Sequence, residues 1–225
     1  MPPYKRVKPR KRRVRRAHFK IYAILCYNVV ALIGWVCLLL RSLSRGSYPG
    51  LWEGRADLNF VTKLEAAAFI EVLHALLDVV RRPAPRRPKL GPYSDFITSL
   101  QICMRNVIIW GVLRPNVILS TRRVFQGCLI AWGGSDCLRY LYVITLLISG
   151  SKPVRRTWSR QLRYTASIFF YFFGFACELL LVAYASDASG SPAYRSFVFW
   201  GIVLFALQNF ACHTMYFYRD IRYWG

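Results

Sequence analysis

The chain reads as an all-α membrane protein, a bundle of about six transmembrane helices with both termini in the cytosol. Three features carry that reading. Hydrophobic residues make up 55% of its 225 residues and charged ones only 19%. The apolar residues gather into stretches about as long as a bilayer is thick, and basic residues crowd alternate sides of those stretches. A disordered tail or an ordinary soluble basic protein is poorer in apolar residues, so neither class accounts for the whole chain.

The segment from Ile21 to Leu40 is free of charge and holds one amide, Asn28. At ~1.5 Å per residue its length is ~30 Å, the thickness of the hydrocarbon layer. Five further spans are expected, at about Leu58–Val80, Phe96–Leu113, Val124–Ser149, Tyr164–Ala185 and Phe197–Tyr218. Turn-forming residues separate them: Tyr48-Pro49-Gly50, the stretch from Pro83 to Pro92, Arg114-Pro115, Gly150 to Pro153, and Gly190 to Pro192. The domain expected is therefore 21–218, between a disordered basic tail at 1–20 and a short C-terminal tail at 219–225.

Charge sets the direction. Lys and Arg number 32 against 10 acidic residues, for a net charge of +22. Ten of the bases stand before Ile21, five between Arg81 and Lys89, five between Lys152 and Arg163, and two after Tyr218. Only seven lie in the segments on the other side. Short basic loops stay in the cytosol, so an even number of spans is implied. The basic tail beside a first span is topogenic and attracts anionic lipid; binding of nucleic acid is not expected. The first apolar stretch is too long, and its flank too poor a cleavage region, for a removed signal peptide.

Seven cysteines (26, 37, 103, 128, 137, 177 and 212) are scattered singly through apolar stretches without a CxxC pair. Neither a disulfide framework nor a zinc site is indicated. Glu71 and His74 make an E-x-x-H, but no second such pair accompanies it, so no metal and no other cofactor is expected. No G-x-S-x-G, Gly-rich phosphate loop or H-E-x-x-H is present, and no Cys is followed six positions later by Arg.

A charge inside hydrocarbon costs roughly 2.5–3.5 kcal/mol, so each one needs a reason. The expected spans contain Lys63, Glu65, Glu71, His74, Asp78, Arg105, Asp136, Arg139, Glu178 and His213. Every base among them can find an acid, and interhelical ion pairs are one sufficient reason. The fifth span offers another. Seven residues at ~100° each bring Glu178 within ~20° of Tyr171 on one stripe, two turns apart. Gly174 lies between them, ~60° off that stripe, and has no side chain. A phenol and a carboxyl then face one apolar notch, as acid–base chemistry on a lipid-like substrate requires. Hydrogen bonds from the same residues to neighbouring helices would also explain the pattern.

Five motifs in sequence order resemble a known family. Tyr27-Asn28 with Gly34-Trp35, and Glu71-Val72-Leu73-His74-Ala75-Leu76-Leu77, stand in the first two spans. Gln101 with Arg105 and Trp110, then Ala131-Trp132 with Arg139-Tyr140, stand in the next two. Arg163-Tyr164, Tyr171, Gly174 and Glu178 complete the set. Together they are similar to the membrane 3-hydroxyacyl-CoA dehydratases of fatty-acid elongation, also called protein-tyrosine-phosphatase-like proteins. The chain departs from that pattern at Phe172, where the family has Pro, and at Asp136, where it has Glu. Asp78 replaces a Gly, and Ser167 a Phe.

The resemblance implies loss of water from (3R)-3-hydroxyacyl-CoA to give trans-2-enoyl-CoA, in the membrane of the endoplasmic reticulum. It implies Tyr171 and Glu178 as the catalytic pair, supported by Gly174, Arg105, Asp136, Arg139 and Arg163. Tyr27, Asn28, Glu71 and His74 are candidates for the substrate path. The partners implied are the acyl-CoA, whose head group would rest on the basic cytosolic loops, the bilayer, and the other elongation enzymes. Which of the pair is acid and which is base stays open; the assignment with Glu178 as base needs no ionised phenol. Two rival classes are a non-catalytic partner of the elongation complex and a proton-coupled transporter. The transporter should show paired broken half-helices, and no such internal repeat is visible.

Overall fold

The computed structural model describes residues 11–44, 51–81, 92–148 and 158–189, with Ala193, Ser196, Trp200, Gly201 and Leu204. Every element among these residues is helical. Helix α1 is Lys11–Ser44, α2 Leu51–Arg81, α3 Pro92–Ile108, α4 Arg123–Ile148 and α5 Trp158–Ser189. The sixth expected span, with His213, lies outside the described residues apart from scattered positions, as do residues 1–10, the basic loops at 82–91 and 149–157, and the C-terminal tail.

Two differences from the sequence expectation concern helix limits. Helix α1 starts at Lys11, so half of the tail expected to be disordered is helical. Residues 11–20 contain no Gly or Pro but four Arg, two Lys and one Ala, good helix formers that extend the apolar helix behind them. The loop expected around Arg114-Pro115 is also more ordered than a plain turn. Helix α3 passes into one π-helical turn, Ile109–Leu113, closed by the Arg114 N–H donating to the Ile109 carbonyl at 2.9 Å. Pro115 cannot continue that ladder, and the chain then makes a 3₁₀ turn, Val117–Thr121.

Packing follows the helical period. Helix α1 buries Asn28, Trp35, Leu38 and Ser42, and α2 buries Leu58, Val61, Glu65, Ala68 and Val72, each set a single stripe at spacings of three, four or seven. Helix α4 lies at the centre, with α1 on one side and α5 on the other. Close approach to α5 depends on small residues. A Cβ built on Gly174 would sit 3.0 Å from the Ala131 Cβ, one on Gly127 would sit 2.6 Å from the Cys177 Sγ, and one on Gly134 would collide with the Phe170 ring. Helix α2 packs beside α3, and its Gly54 lies against the backbone of Ser120 in the 3₁₀ turn. Arg41 and Asp57 pair at 2.9 Å between the last turn of α1 and the start of α2.

Large apolar side chains face outward, and charged ones are set into an otherwise apolar core. The outward faces carry Val30, Ile33 and Leu40 on α1, Phe69 and Ile70 on α2, and Phe169, Phe172 and Leu180 on α5. The interior holds Glu65, Arg105, Asp136 and Glu178. Among the described residues two helical segments are long and apolar enough to cross a membrane, Tyr22–Ser44 in α1 and Phe169–Asp187 in α5. Helices α2 and α4 also bury charges, Asp57 and Glu65 on α2 and Asp136 on α4, and the apolar part of the third span, Thr98–Leu113, is shorter.

Candidate active site

Helix α5 presents the phenol and the carboxyl on one face, and α4 and α3 close over them. Tyr171, Gly174 and Glu178 line a common cavity with Trp132 and Ser135 of α4 and Gln101 and Arg105 of α3. The cavity volume is about 30 Å³, room for one or two water molecules. Gly174 lets α5 approach Ala131, and a larger side chain there would fill part of this space. The Tyr171 hydroxyl donates to the Gln101 Oε1 at 3.2 Å. The Trp132 Nε1–H donates to the Glu178 Oε1. The other carboxyl oxygen, Oε2, is buried without a hydrogen-bond partner among the described residues. An orphaned carboxyl oxygen beside a cavity is costly unless a ligand completes it, and such groups concentrate at functional sites.

Behind the cavity runs a buried ionic network. Arg105 donates through Nη1 to Glu65 at 3.2 Å and to Asp136, and through Nη2 to the Ser135 Oγ at 2.9 Å. Its guanidinium lies 5.6 Å from the centre of the Trp132 ring. Asp136 accepts a second bond, from the Arg139 Nε at 2.9 Å, and Arg139 reaches on to Glu71. Glu71 also accepts the Tyr140 hydroxyl at 2.7 Å. Charges from α2, α3 and α4 are thereby joined in one chain, which removes the cost of leaving any of them alone in the interior.

The expected site residues fall into three groups. Tyr171, Glu178, Gly174 and Arg105 are brought together at the cavity, and Asp136 and Arg139 stand behind it in the network. Tyr27, Asn28 and Glu71 do not line the cavity. Tyr27 packs edge-on against Tyr140 at 6.4 Å and donates to the Ala67 carbonyl, while Asn28 bonds within its own helix to Ile24. The side chains of His74 and Arg163 lie outside the described residues. Two residues that touch the pair directly, Gln101 and Trp132, were not foreseen as site residues. The signal was present in their spacing: Gln101 is one helical turn from Arg105, and Trp132 one turn from Asp136.

The molecule is thus a helical bundle with large apolar side chains on its outside, charges set into its core, and a phenol and a carboxyl lining one small cavity. Such a site can take a proton from one atom of a bound molecule and return one to another. A family model described as protein tyrosine phosphatase-like protein, PTPLA, matches residues 65–221, and the chain belongs to that family. The match takes in every residue of the cavity and leaves α1 outside. The chain is similar to a very-long-chain (3R)-3-hydroxyacyl-CoA dehydratase of Caenorhabditis elegans, 28% identical over 70% of this chain and 66% of that protein. It is similar to a probable enzyme of the same name from Schizosaccharomyces pombe, 25% identical over 82% of this chain and 83% of the relative. Human very-long-chain (3R)-3-hydroxyacyl-CoA dehydratase 2 is 29% identical over 71% of this chain and 58% of its own length. The match thus spans less than two thirds of the worm and human proteins. No solved structure matches the chain.

Proposed function

We propose that the chain is a membrane-embedded hydro-lyase that converts (3R)-3-hydroxyacyl-CoA to trans-2-enoyl-CoA, the dehydration step of fatty-acid elongation. The observation that carries this reading is the cavity shared by Tyr171 and Glu178, with one Glu178 oxygen held and the other left without a partner. The names of the relatives supply the substrate class.

In this mechanism Glu178 takes the proton from Cα through Oε2, the Cα electron pair forms the double bond to Cβ, and Tyr171 gives its proton to the departing β-hydroxyl. Water and the enoyl thioester are the products, and the proton now on Glu178 returns to Tyr171 between turnovers. The hydroxyl of Tyr171 donates to Gln101, so the phenol carries the proton that an acid must deliver. Arg105, Asp136 and Arg139 hold α3 and α4 in register around the pair, and Gly174 keeps the notch open. We place Arg163 among these supports, and Tyr27, Asn28, Glu71 and His74 along the route of the substrate from the cytosolic side.

The apolar outward faces and the charged interior support an integral membrane protein, here taken as six-span with cytosolic termini in the endoplasmic reticulum. The other elongation enzymes are its natural partners, since they make its substrate and consume its product. The family description mentions a phosphatase, but no Cys stands six positions before an Arg, so the thiol–arginine loop of such enzymes is missing from the sequence.

Purified protein carrying Tyr171→Phe or Glu178→Gln, assayed with a long-chain (3R)-3-hydroxyacyl-CoA, tests the proposal. Each substitution should lower kcat by about 100-fold or more, the usual worth of a positioned proton-transfer group. Undiminished turnover in either variant excludes that residue from the reaction.

A further inference from the structure

Glu178 reaches the cavity from α5, but what fixes its carboxyl comes from α4. Trp132 is buried beside it and donates its Nε1–H to Oε1. An indole nitrogen is a donor only, so Oε1 accepts through a lone pair whether the carboxyl is ionised or not. Because a carbonyl oxygen accepts better than a hydroxyl oxygen, the indole favours a proton on Oε2, the oxygen without a hydrogen-bond partner among the described residues. Without the indole the two oxygens would be interchangeable, because the terminal torsion of a glutamate is broad and nearly two-fold.

We propose that Trp132 is a positioning residue that holds Glu178 by one oxygen and reserves the other for proton exchange with the substrate. The inference deepens the dehydratase reading above and rests on it. The indole is itself clamped. Arg105 lies 5.6 Å from its ring centre, and the Ser135 hydroxyl donates to the Trp132 carbonyl at 3.0 Å while accepting from Arg105. One arginine, tied to Glu65 and Asp136, thereby packs against the ring that holds the carboxyl.

The test separates the N–H from the ring. Trp132→Phe keeps an aromatic face for Arg105 and removes the donor. Incorporation of benzothienylalanine at position 132 keeps the bicyclic shape as well, and decides the matter if the Phe protein does not fold. Both should lower kcat about 10- to 100-fold, as expected for a lost hydrogen bond to a carboxylate, with KM within about two-fold. A second arm places Trp132→Phe on Glu178→Gln and follows the residual turnover over long incubations. If the indole acts only through the carboxyl, the double variant is no slower than Glu178→Gln alone; a general packing role would add its own loss. Wild-type kcat in the benzothienylalanine protein overturns the inference while Glu178→Gln keeps its large loss and the dehydratase reading stands. Full activity in Glu178→Gln overturns both.

Discussion

Replacing Arg105 by Met should be the most damaging single change in the buried network. Arg105 is the cation nearest Glu65, which is fully buried and already has one oxygen without a partner. It also satisfies Asp136 and the Ser135 hydroxyl. With an effective dielectric of about 20, unit charges at the 3.2 Å separation of Arg105 and Glu65 attract by about 5 kcal/mol. Removing one member of such a buried set costs about 3–5 kcal/mol, chiefly because the remaining carboxylate is left alone. For a chain of this size that lowers the unfolding midpoint by on the order of 10 °C. Thermal unfolding of the purified protein in detergent, followed by the loss of its monodisperse elution peak, measures the shift. Adding Glu65→Leu and Asp136→Leu to Arg105→Met should recover most of it, since an apolar replacement of a buried ion cluster is near neutral and Arg139 keeps Glu71. A midpoint for Arg105→Met within about 2 °C of the wild type would refute the electrostatic argument. A triple variant as unstable as the single would trace the cost to lost packing.

Further predictions test the packing around the site. Gly174→Ala brings a Cβ to 3.0 Å from the Ala131 Cβ, so α4 and α5 must separate slightly. It should cost about 1–3 kcal/mol and lower kcat, and Gly174→Leu should abolish turnover in the same assay. Gly54→Ala places a Cβ 2.6 Å from the Ser120 carbonyl oxygen, a backbone atom that cannot swing aside. The unfolding midpoint should fall by several degrees, with kcat unchanged in the folded fraction. Tyr140→Phe removes the hydroxyl that donates to Glu71 at 2.7 Å. A loss of about 1–3 kcal/mol in stability is expected, with kcat within a few-fold of wild type; a collapse of kcat at intact stability would place Tyr140 in the chemistry.

What the sequence made legible was whatever depends on one helix at a time. The common face of Tyr171, Gly174 and Glu178 follows from the turn angle, and the apolar length of α1 from counting. The charges at membrane depth marked themselves by their cost. Partners across helices were another matter. That Arg105 binds both Glu65 and Asp136, that Glu71 meets Arg139 and Tyr140, and that Trp132 holds Glu178 all depend on which faces of α2, α3 and α4 meet. A list of acids and bases permits many pairings. The π-helical turn at Ile109–Leu113 and the 3₁₀ turn after it were equally hidden, because apolar residues follow a wider helical turn as readily as an α-helical one.

Two of the departures from the family pattern, Asp136 and Phe172, fall at positions where this structure has another way to hold the same geometry. Asp136 is one methylene shorter than the Glu it replaces, yet it bridges two cations. Both are arginines, whose long side chains take up the difference: Arg139 folds back one turn along α4, and Arg105 reaches across from α3. Phe172 removes the proline beside the tyrosine, and α5 runs as one helix from Trp158 to Ser189. A kink is not needed to bring Tyr171 and Glu178 to one cavity, because two unbroken turns already return the chain to the same face within ~20°. Phe172 itself points outward, 62% exposed among the apolar residues of the bundle surface. The carboxyl that α5 carries is met on α4 by the Trp132 N–H. A site arranged in this way accommodates a straightened helix and a shortened acid, and among the residues that support the pair the indole N–H and the arginine behind it matter most.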